Sequence, residues 1–158
     1  MESAAQSWIE RVIALAVDNV RNGGGGPFAS LVVKHGRVLA EGVNRVTATN
    51  DPTAHAEVVA IRAACRALGH YQLDGCEIYS SCEPCPMCLG AIYWARPARV
   101  CYAATAADAA GAGFDDSHIY RQIAVPHGER TIPMIALPAP AALAPFDAWR
   151  AKTDRKLY

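Results

Sequence analysis

Two short motifs, well separated along the chain, constrain its fold more than any other feature. His55 and Glu57 form a His-x-Glu pattern, and Cys85 and Cys88 form Pro-Cys-x-x-Cys together with Pro84. Imidazole nitrogen and thiolate sulfur are ligands that zinc accepts in tetrahedral sites. The fold must therefore bring both motifs to one place if they share a metal ion.

The three candidate ligands, His55, Cys85 and Cys88, are one fewer than a closed tetrahedral site requires. A catalytic zinc site keeps its fourth position for water and lowers the pKa of that water to about 7. Glu57 is then the candidate proton carrier. Residues two apart on a regular helix point about 200° apart. His55 and Glu57 can therefore face one ion only if His55 lies in an irregular first turn.

Two other readings of Cys-x-x-Cys are a redox motif and half of a structural zinc knuckle. A knuckle needs a second close Cys/His pair, which the sequence lacks, and a redox motif would not explain His-x-Glu. A non-enzymatic zinc-stabilised binding module would have four protein ligands and no open position. The other cysteines are interpreted as buried apolar residues: Cys65, Cys76, Cys82 and Cys101. For Cys82, which is nearer the metal motif, a spare thiol is the alternative.

Alternating helices and strands predict a three-layer α/β/α sandwich in a single domain over residues 1–158. Apolar periodicity and turn residues predict the elements. Helices are expected over about 7–21, 52–68, from Pro86 onward, and 146–152. Strands are expected over 28–34, 37–44, 77–80, 99–103 and 131–137.

Charge and cysteine content narrow the function classes. Fifteen basic residues balance fifteen acidic ones. This favours a small neutral substrate over a polynucleotide, because nucleic-acid binders usually carry a basic excess. The first ten residues predict neither a signal peptide nor a membrane span, and no membrane partner is expected. The six cysteines suit a metal site in a reducing compartment, so a cytoplasmic location is expected.

Further stretches extend the two motifs along nearly the whole chain. They are 25–28, 50–57, 81–88, 91–96, 112–116 and the terminal Tyr158. With them the sequence resembles the cytidine-deaminase-like superfamily and, within it, the small bacterial guanine deaminases. The zinc motifs are common to the superfamily, whereas Phe114-Asp115-Asp116 and the C-terminal aromatic residue favour guanine. The resemblance implies hydrolysis of guanine to xanthine and ammonia with one Zn²⁺ per chain, in purine catabolism or salvage.

The resemblance also implies a mixed five-stranded sheet flanked by helices. It implies a homodimer in which a C-terminal segment, about 138–158, is exchanged so that Tyr158 caps the pocket of the partner. The proline-rich connection from Pro138 to Pro145 would suit such a hinge.

Several site roles carry over by position from the same resemblance. Asn44 would hydrogen-bond the base, and the backbone of Ala56 would meet the ring oxygen. Phe28 and Trp94 would form apolar walls. Asp116, or Asp115 beside it, would bind the guanine edge or relay protons there. Structural roles remain the alternatives: a turn residue for Asn44, core aromatics for Phe28 and Trp94, and a helix cap for the acidic pair.

Other substrates also stay open. Deaminases of tRNA adenosine share the zinc motifs but need a basic surface for RNA. The local basic cluster here consists of Arg150, Lys152, Arg155 and Lys156, interleaved with Asp147 and Asp154. Cytosine, cytidine and aminotriazines are further alternatives.

Overall fold

The structure, a computed structural model, describes residues 2–158, so the predicted domain start at Met1 lies outside the described residues. The chain divides into two compact units, the first ending at Asp116 and the second spanning Ser117–Tyr158. Each is described by itself, and the assignment of the whole chain to one domain stays a prediction. In the described part, none of the helices has the length and apolarity needed to cross a membrane.

The first unit is built on a four-stranded mixed sheet. Strand β1 (Ala29–Lys34) lies between β2 (Arg37–Val43) and β3 (Cys76–Cys82) and is antiparallel to both, and β4 (Arg99–Ala104) extends the sheet parallel to β3. The elements of this unit are α1 (Glu2–Arg21), β1 (Ala29–Lys34), β2 (Arg37–Val43), α2 (Val46–Thr49), α3 (Ala56–Leu68), β3 (Cys76–Cys82), α4 (Pro86–Ala95), β4 (Arg99–Ala104) and α5 (Ala106–Gly111).

Successive side chains of the central strands point to opposite faces of the sheet. Leu31 and Tyr79 pack with Val12 of α1 on one face. Val32 and Ile78 pack on the other face in a cluster that contains Ala60 and Ala64 of α3. The predicted helix-sheet-helix layering is confirmed for this unit.

Gly42 of β2 lets α3 lie directly against the sheet. A Cβ atom at this position would stand 2.2 Å from the carbonyl oxygen of Ala56 and 2.5 Å from the amide nitrogen of Ala60. These atoms are backbone and cannot move aside cheaply. The missing side chain therefore fixes the start of α3, and with it the position of His55 and Glu57.

The second unit contains α6 (Ser117–Ala124), a 3₁₀ turn at His127–Glu129 and α7 (Ala144–Ala151). The predicted strand over 131–137 is wrong, because the structure has no strand there, and the sheet has four strands rather than five. The apolar pattern that suggested it is real, but a strand exists only when another strand pairs with it. Pro133 also removes one of the amide donors that such pairing would use.

The start of the second predicted helix is also wrong. Pro52 was expected to open it, but α3 begins at Ala56, and the short helix α2 precedes it. The carboxylate of Asp51 accepts hydrogen bonds from the amide nitrogen of Thr53 at 2.8 Å and from its hydroxyl at 2.7 Å. This side-chain turn competes with helix formation and delays the helix by one turn.

Candidate metal centre

His55 stands immediately before the first residue of α3. Its backbone is extended, with φ −70° and ψ 154°, and its carbonyl accepts the first helical hydrogen bond from Val59 at 2.9 Å. It is therefore the N-cap of α3, and Glu57 is the second residue of the helix proper. The irregular geometry expected for His55 is present, and both side chains can face one point.

Cys85 and Cys88 are placed in the same way at the start of α4. Cys85 is the N-cap, with φ −64° and ψ 168°, and Cys88 lies in the first turn. Pro86 occupies the first helical position, where its missing amide hydrogen costs nothing. The positive end of a helix stabilises a thiolate placed there, such as that of Cys85.

The three predicted ligands meet in the structure. His55 Nδ1 lies 3.4 Å from Cys85 Sγ and 3.6 Å from Cys88 Sγ. All three ligand atoms lie within 4.8 Å of one another. Tetrahedral zinc, with Zn–S of about 2.3 Å and Zn–N of about 2.0–2.1 Å, separates a sulfur from a nitrogen by about 3.6 Å. The donor set and its spacing therefore fit a zinc ion.

Protons are shared among these groups. The pKa of Cys85 falls to about 4, because the Cys88 thiol donates a hydrogen bond to its thiolate and His55 donates another. The same bond to Cys85, together with burial, raises the pKa of Cys88. The bond to Cys85 also raises the pKa of His55. A divalent cation would displace these protons, as it does wherever ligands must be deprotonated to bind.

Glu57 lies beside the three ligands and is buried. Burial raises the pKa of its carboxyl group, while hydrogen bonds from its own backbone amide and from Ser80 act in the opposite direction. The Ser80 hydroxyl lies 3.2 Å from Glu57 Oε1. A carboxyl group that holds a proton more readily than ordinary Glu, next to a metal-binding group, is suited to proton transfer.

Asn44 is buried at the end of β2, held by neighbouring backbone. Its Oδ1 accepts from the amide nitrogens of Gly26 at 3.4 Å and Val46 at 3.3 Å. The side chain of Asn19 in turn donates to the carbonyl of Asn44 at 3.0 Å and to that of Gly26 at 2.8 Å. Sequence reasoning missed Asn19, although a polar residue in line with Val12 and Ala16 on the buried stripe of α1 was a usable signal.

The remaining predicted residues fall in different places. Phe28 packs edge-to-face on Phe114, with ring centroids 4.9 Å apart. Asp116 is half-buried, and its pKa is raised by burial and then by the negative charge of Cys85, whereas Asp115 is exposed. The structure therefore brings Asp116 near the ligand group.

Two further residues expected to contact the base are Trp94 and Tyr158. Trp94 lies in the last turn of α4, about 9 Å along the helix axis from Cys88, and is 62% exposed. Tyr158 ends the second unit and is 69% exposed. The roles expected for both stay predictions.

Comparison with known proteins agrees with this geometry. The family model described as "Cytidine and deoxycytidylate deaminase zinc-binding region" matches residues 2–104. The chain is 57% identical over 153 residues to guanine deaminase of Bacillus subtilis strain 168. The aligned region covers 97% of this chain and 98% of that protein. It is 47% identical to a tRNA-specific adenosine deaminase of Agrobacterium fabrum, but over only 49% of this chain and 51% of that protein.

Comparison with a solved structure agrees with the sequence comparison. The X-ray structure of guanine deaminase from Bacillus subtilis matches with a TM-score of 0.96 and 57% identity, covering 97% of this chain and 98% of that one. The similarity therefore extends beyond the zinc motifs and includes the C-terminal unit.

Proposed function

Because this chain belongs to the cytidine and deoxycytidylate deaminase zinc-binding family, we propose that it hydrolyses guanine to xanthine and ammonia. One observation carries the proposal: His55, Cys85 and Cys88 converge on one point while the buried carboxyl group of Glu57 lies against them. Three protein ligands beside a proton carrier suit hydrolysis, whereas a structural zinc site would have four.

The protein's own groups then manage the protons. A zinc ion held by His55, Cys85 and Cys88 supplies a polarised water whose pKa is about 7. Glu57 would accept one proton from this water as the water oxygen bonds to C2 of guanine, and would pass it to N3 of the ring. Glu57 would then take the remaining proton of the new C2 hydroxyl and deliver it to the amino group, so that the C2–N bond breaks and ammonia leaves while C2 becomes a carbonyl.

The surrounding residues bind the base. Because Asn44 Oδ1 is occupied by backbone amides, its amide nitrogen points donors at acceptors on the base. Ala56 is the first residue of α3, so its N–H has no partner within the helix and can donate to the ring oxygen. Phe28 and Trp94 form apolar walls, and Asp116, whose pKa is raised by burial and by the charge of Cys85, binds the guanine edge, with Asp115 beside it as the alternative.

Guanine is preferred over tRNA adenosine for two reasons. The likeness to the guanine deaminase runs through the whole chain, whereas that to the tRNA enzyme covers half of it. Two of the four side chains of the local basic cluster are also paired with acidic ones: Arg150 with Asp147 and Lys152 with Asp154. With all six cysteines free and no net charge, a cytoplasmic enzyme of purine catabolism or salvage is the consistent assignment.

A substrate panel tests the proposal. Zinc-loaded protein should release ammonia from guanine with a kcat/KM about 5- to 150-fold above that for adenine, cytosine, cytidine and an aminotriazine. A wrong base leaves a buried polar group unpaired, which costs about 1–3 kcal/mol. Inosine formation in a tRNA stem-loop is assayed in parallel. Preference for any of these other substrates would refute guanine as the substrate.

We also propose a homodimer in which the segment from about residue 138 is exchanged, so that the partner's Tyr158 covers the pocket. The second unit leaves large apolar side chains in water: Ile132 and Ile135 are 78% exposed and Leu137 is 84% exposed. Apolar surface of this kind marks an interaction site on a stable protein. The apolar segment that does not form a strand is thus assigned to an interface.

Mixing two variants tests the exchange. Glu57→Gln and a chain lacking Tyr158 should each have low activity alone. After joint unfolding and refolding, activity should return to about a quarter of the wild-type value, because half of the dimers are mixed and each holds one complete site. Sedimentation equilibrium should give twice the chain mass, and Ile135→Asp should reduce it. A monomer, or no recovery in the mixture, would contradict the exchange.

A further inference from the structure

We propose that Ser80 is a positioning residue for Glu57: its hydroxyl holds the carboxylate in one orientation, so that a single oxygen faces the reacting water and base. The inference rests on the proposed function only in giving Glu57 the proton-carrying role. Ser80 itself touches neither metal ligand nor substrate in this assignment.

Sheet register places Ser80 at the site. Ser80 of β3 lies directly opposite Ser30 of β1 in the antiparallel pair. Val32 and Ile78, two positions further along each strand, point to the face covered by α3, so both serines point to that face as well. Ser30 and Ser80 are completely buried. Two hydroxyl groups in this layer need hydrogen-bond partners, since an unpaired buried hydroxyl is costly.

The hydrogen bonds run in a fixed direction. Ser80 Oγ lies 3.2 Å from Glu57 Oε1 and 3.2 Å from Ser30 Oγ. Each hydroxyl carries one proton, and an ionised carboxylate can only accept. When Glu57 is ionised, Ser80 therefore donates its one proton to Glu57, which leaves Ser80 to accept from Ser30. The two serines thus form a short series of hydrogen bonds that ends on Oε1 of Glu57.

This series of hydrogen bonds decides which carboxylate oxygen of Glu57 takes up the proton. The terminal torsion of a Glu side chain is broad and does not fix the carboxylate plane by itself. With Oε1 accepting from Ser80, the proton that Glu57 takes up goes to Oε2. Proton transfer needs the carrier within hydrogen-bond reach of its target, so a fixed plane raises the rate of the chemical step and leaves binding of the base unchanged.

Ser80→Ala should lower kcat by about 10- to 100-fold, the usual cost of losing a group that orients a site residue. KM should stay within about threefold, and the zinc content should remain one per chain. Ser80→Thr keeps the hydroxyl and should recover most of kcat. Steady-state rates on guanine, normalised to bound zinc, give both quantities.

Ser81→Ala is the matched control. Ser81 is the next residue on β3 and is also buried, but its hydroxyl accepts a hydrogen bond from the amide of Ala29 at 3.0 Å. Its loss should lower the midpoint of thermal unfolding at least as much as Ser80→Ala does, while kcat stays at the wild-type value. If both variants lose kcat in proportion to their loss of stability, Ser80 has a structural role only.

A second measurement does not depend on turnover. Crystal structures of the zinc-loaded wild type and of Ser80→Ala should show one Glu57 orientation in the first and two or more in the second. A single unchanged orientation, or unchanged kcat in Ser80→Ala, would overturn the proposal. Failure of the proposed substrate would look different: wild-type protein would not deaminate guanine, while the two crystal structures would still decide the role of Ser80.

Discussion

Glu57→Gln is expected to lower kcat by about 10²–10⁴-fold, the range that general acid–base groups contribute. The amide has nearly the shape of the carboxylate but cannot take up a proton from water or deliver one to the base. His55, Cys85 and Cys88 are untouched, so zinc should stay bound at one per chain. Steady-state kinetics on guanine and metal analysis of the same sample provide the measurement.

Glu77→Gln controls for the chemical change. Glu77 lies on β3, where Tyr79 and Arg99 hydrogen-bond its carboxylate outside the ligand group. Its pKa is lowered, first by the bond from Tyr79 and then by that from Arg99, the opposite of the shift at Glu57. It should keep wild-type kcat. Near-normal turnover in Glu57→Gln would remove Glu57 from the proton path, and with it the reason for Ser80 to matter.

The metal centre was predictable from sequence because its information is local. Cys85 and Cys88 share one helix start, and the mismatch between His-x-Glu and the helical period already required His55 to lie outside the regular turns. The structure places His55 and Cys85 as N-caps of their helices. Spacing within a few residues was therefore enough to predict the ligand set and the local backbone geometry.

Features that depend on pairing between strands far apart in the sequence could not be predicted from local spacing. The pattern over 131–137 has strand character, but a pattern cannot supply a partner strand. Ser80 and Ser30 become neighbours only through the register of β1 with β3, and neither residue belongs to a motif. The side-chain turn at Asp51, which moved the start of α3, was a local signal, but the helix-forming pattern around Pro52 obscured it.

Cys88→Ser is expected to abolish stoichiometric zinc binding and to lower kcat/KM by more than about 100-fold, beyond the cost of losing an outer-shell partner. Serine is a poor zinc ligand at neutral pH, whereas Cys88 is fully buried at the start of α4 with its sulfur 3.6 Å from His55 Nδ1. Two remaining ligands cannot hold a tetrahedral ion tightly. Zinc per chain, measured after dialysis, is the primary readout.

Cys82→Ser separates this effect from the loss of any buried thiol. Cys82 is also buried, but its sulfur donates to the carbonyl of Thr105 at 3.5 Å and lies outside the ligand group. It should keep one zinc per chain, so that only Cys88→Ser behaves like wild-type protein treated with a chelator. An ion that binds only the folded state adds about 4 kcal/mol to the free energy of unfolding at a thousandfold excess over its Kd. The Cys88→Ser variant and the chelator-treated wild-type protein should therefore also unfold at lower temperature. If Cys88→Ser retained full zinc, a different residue would have to complete the site, and the vacant position on which hydrolysis depends would not exist.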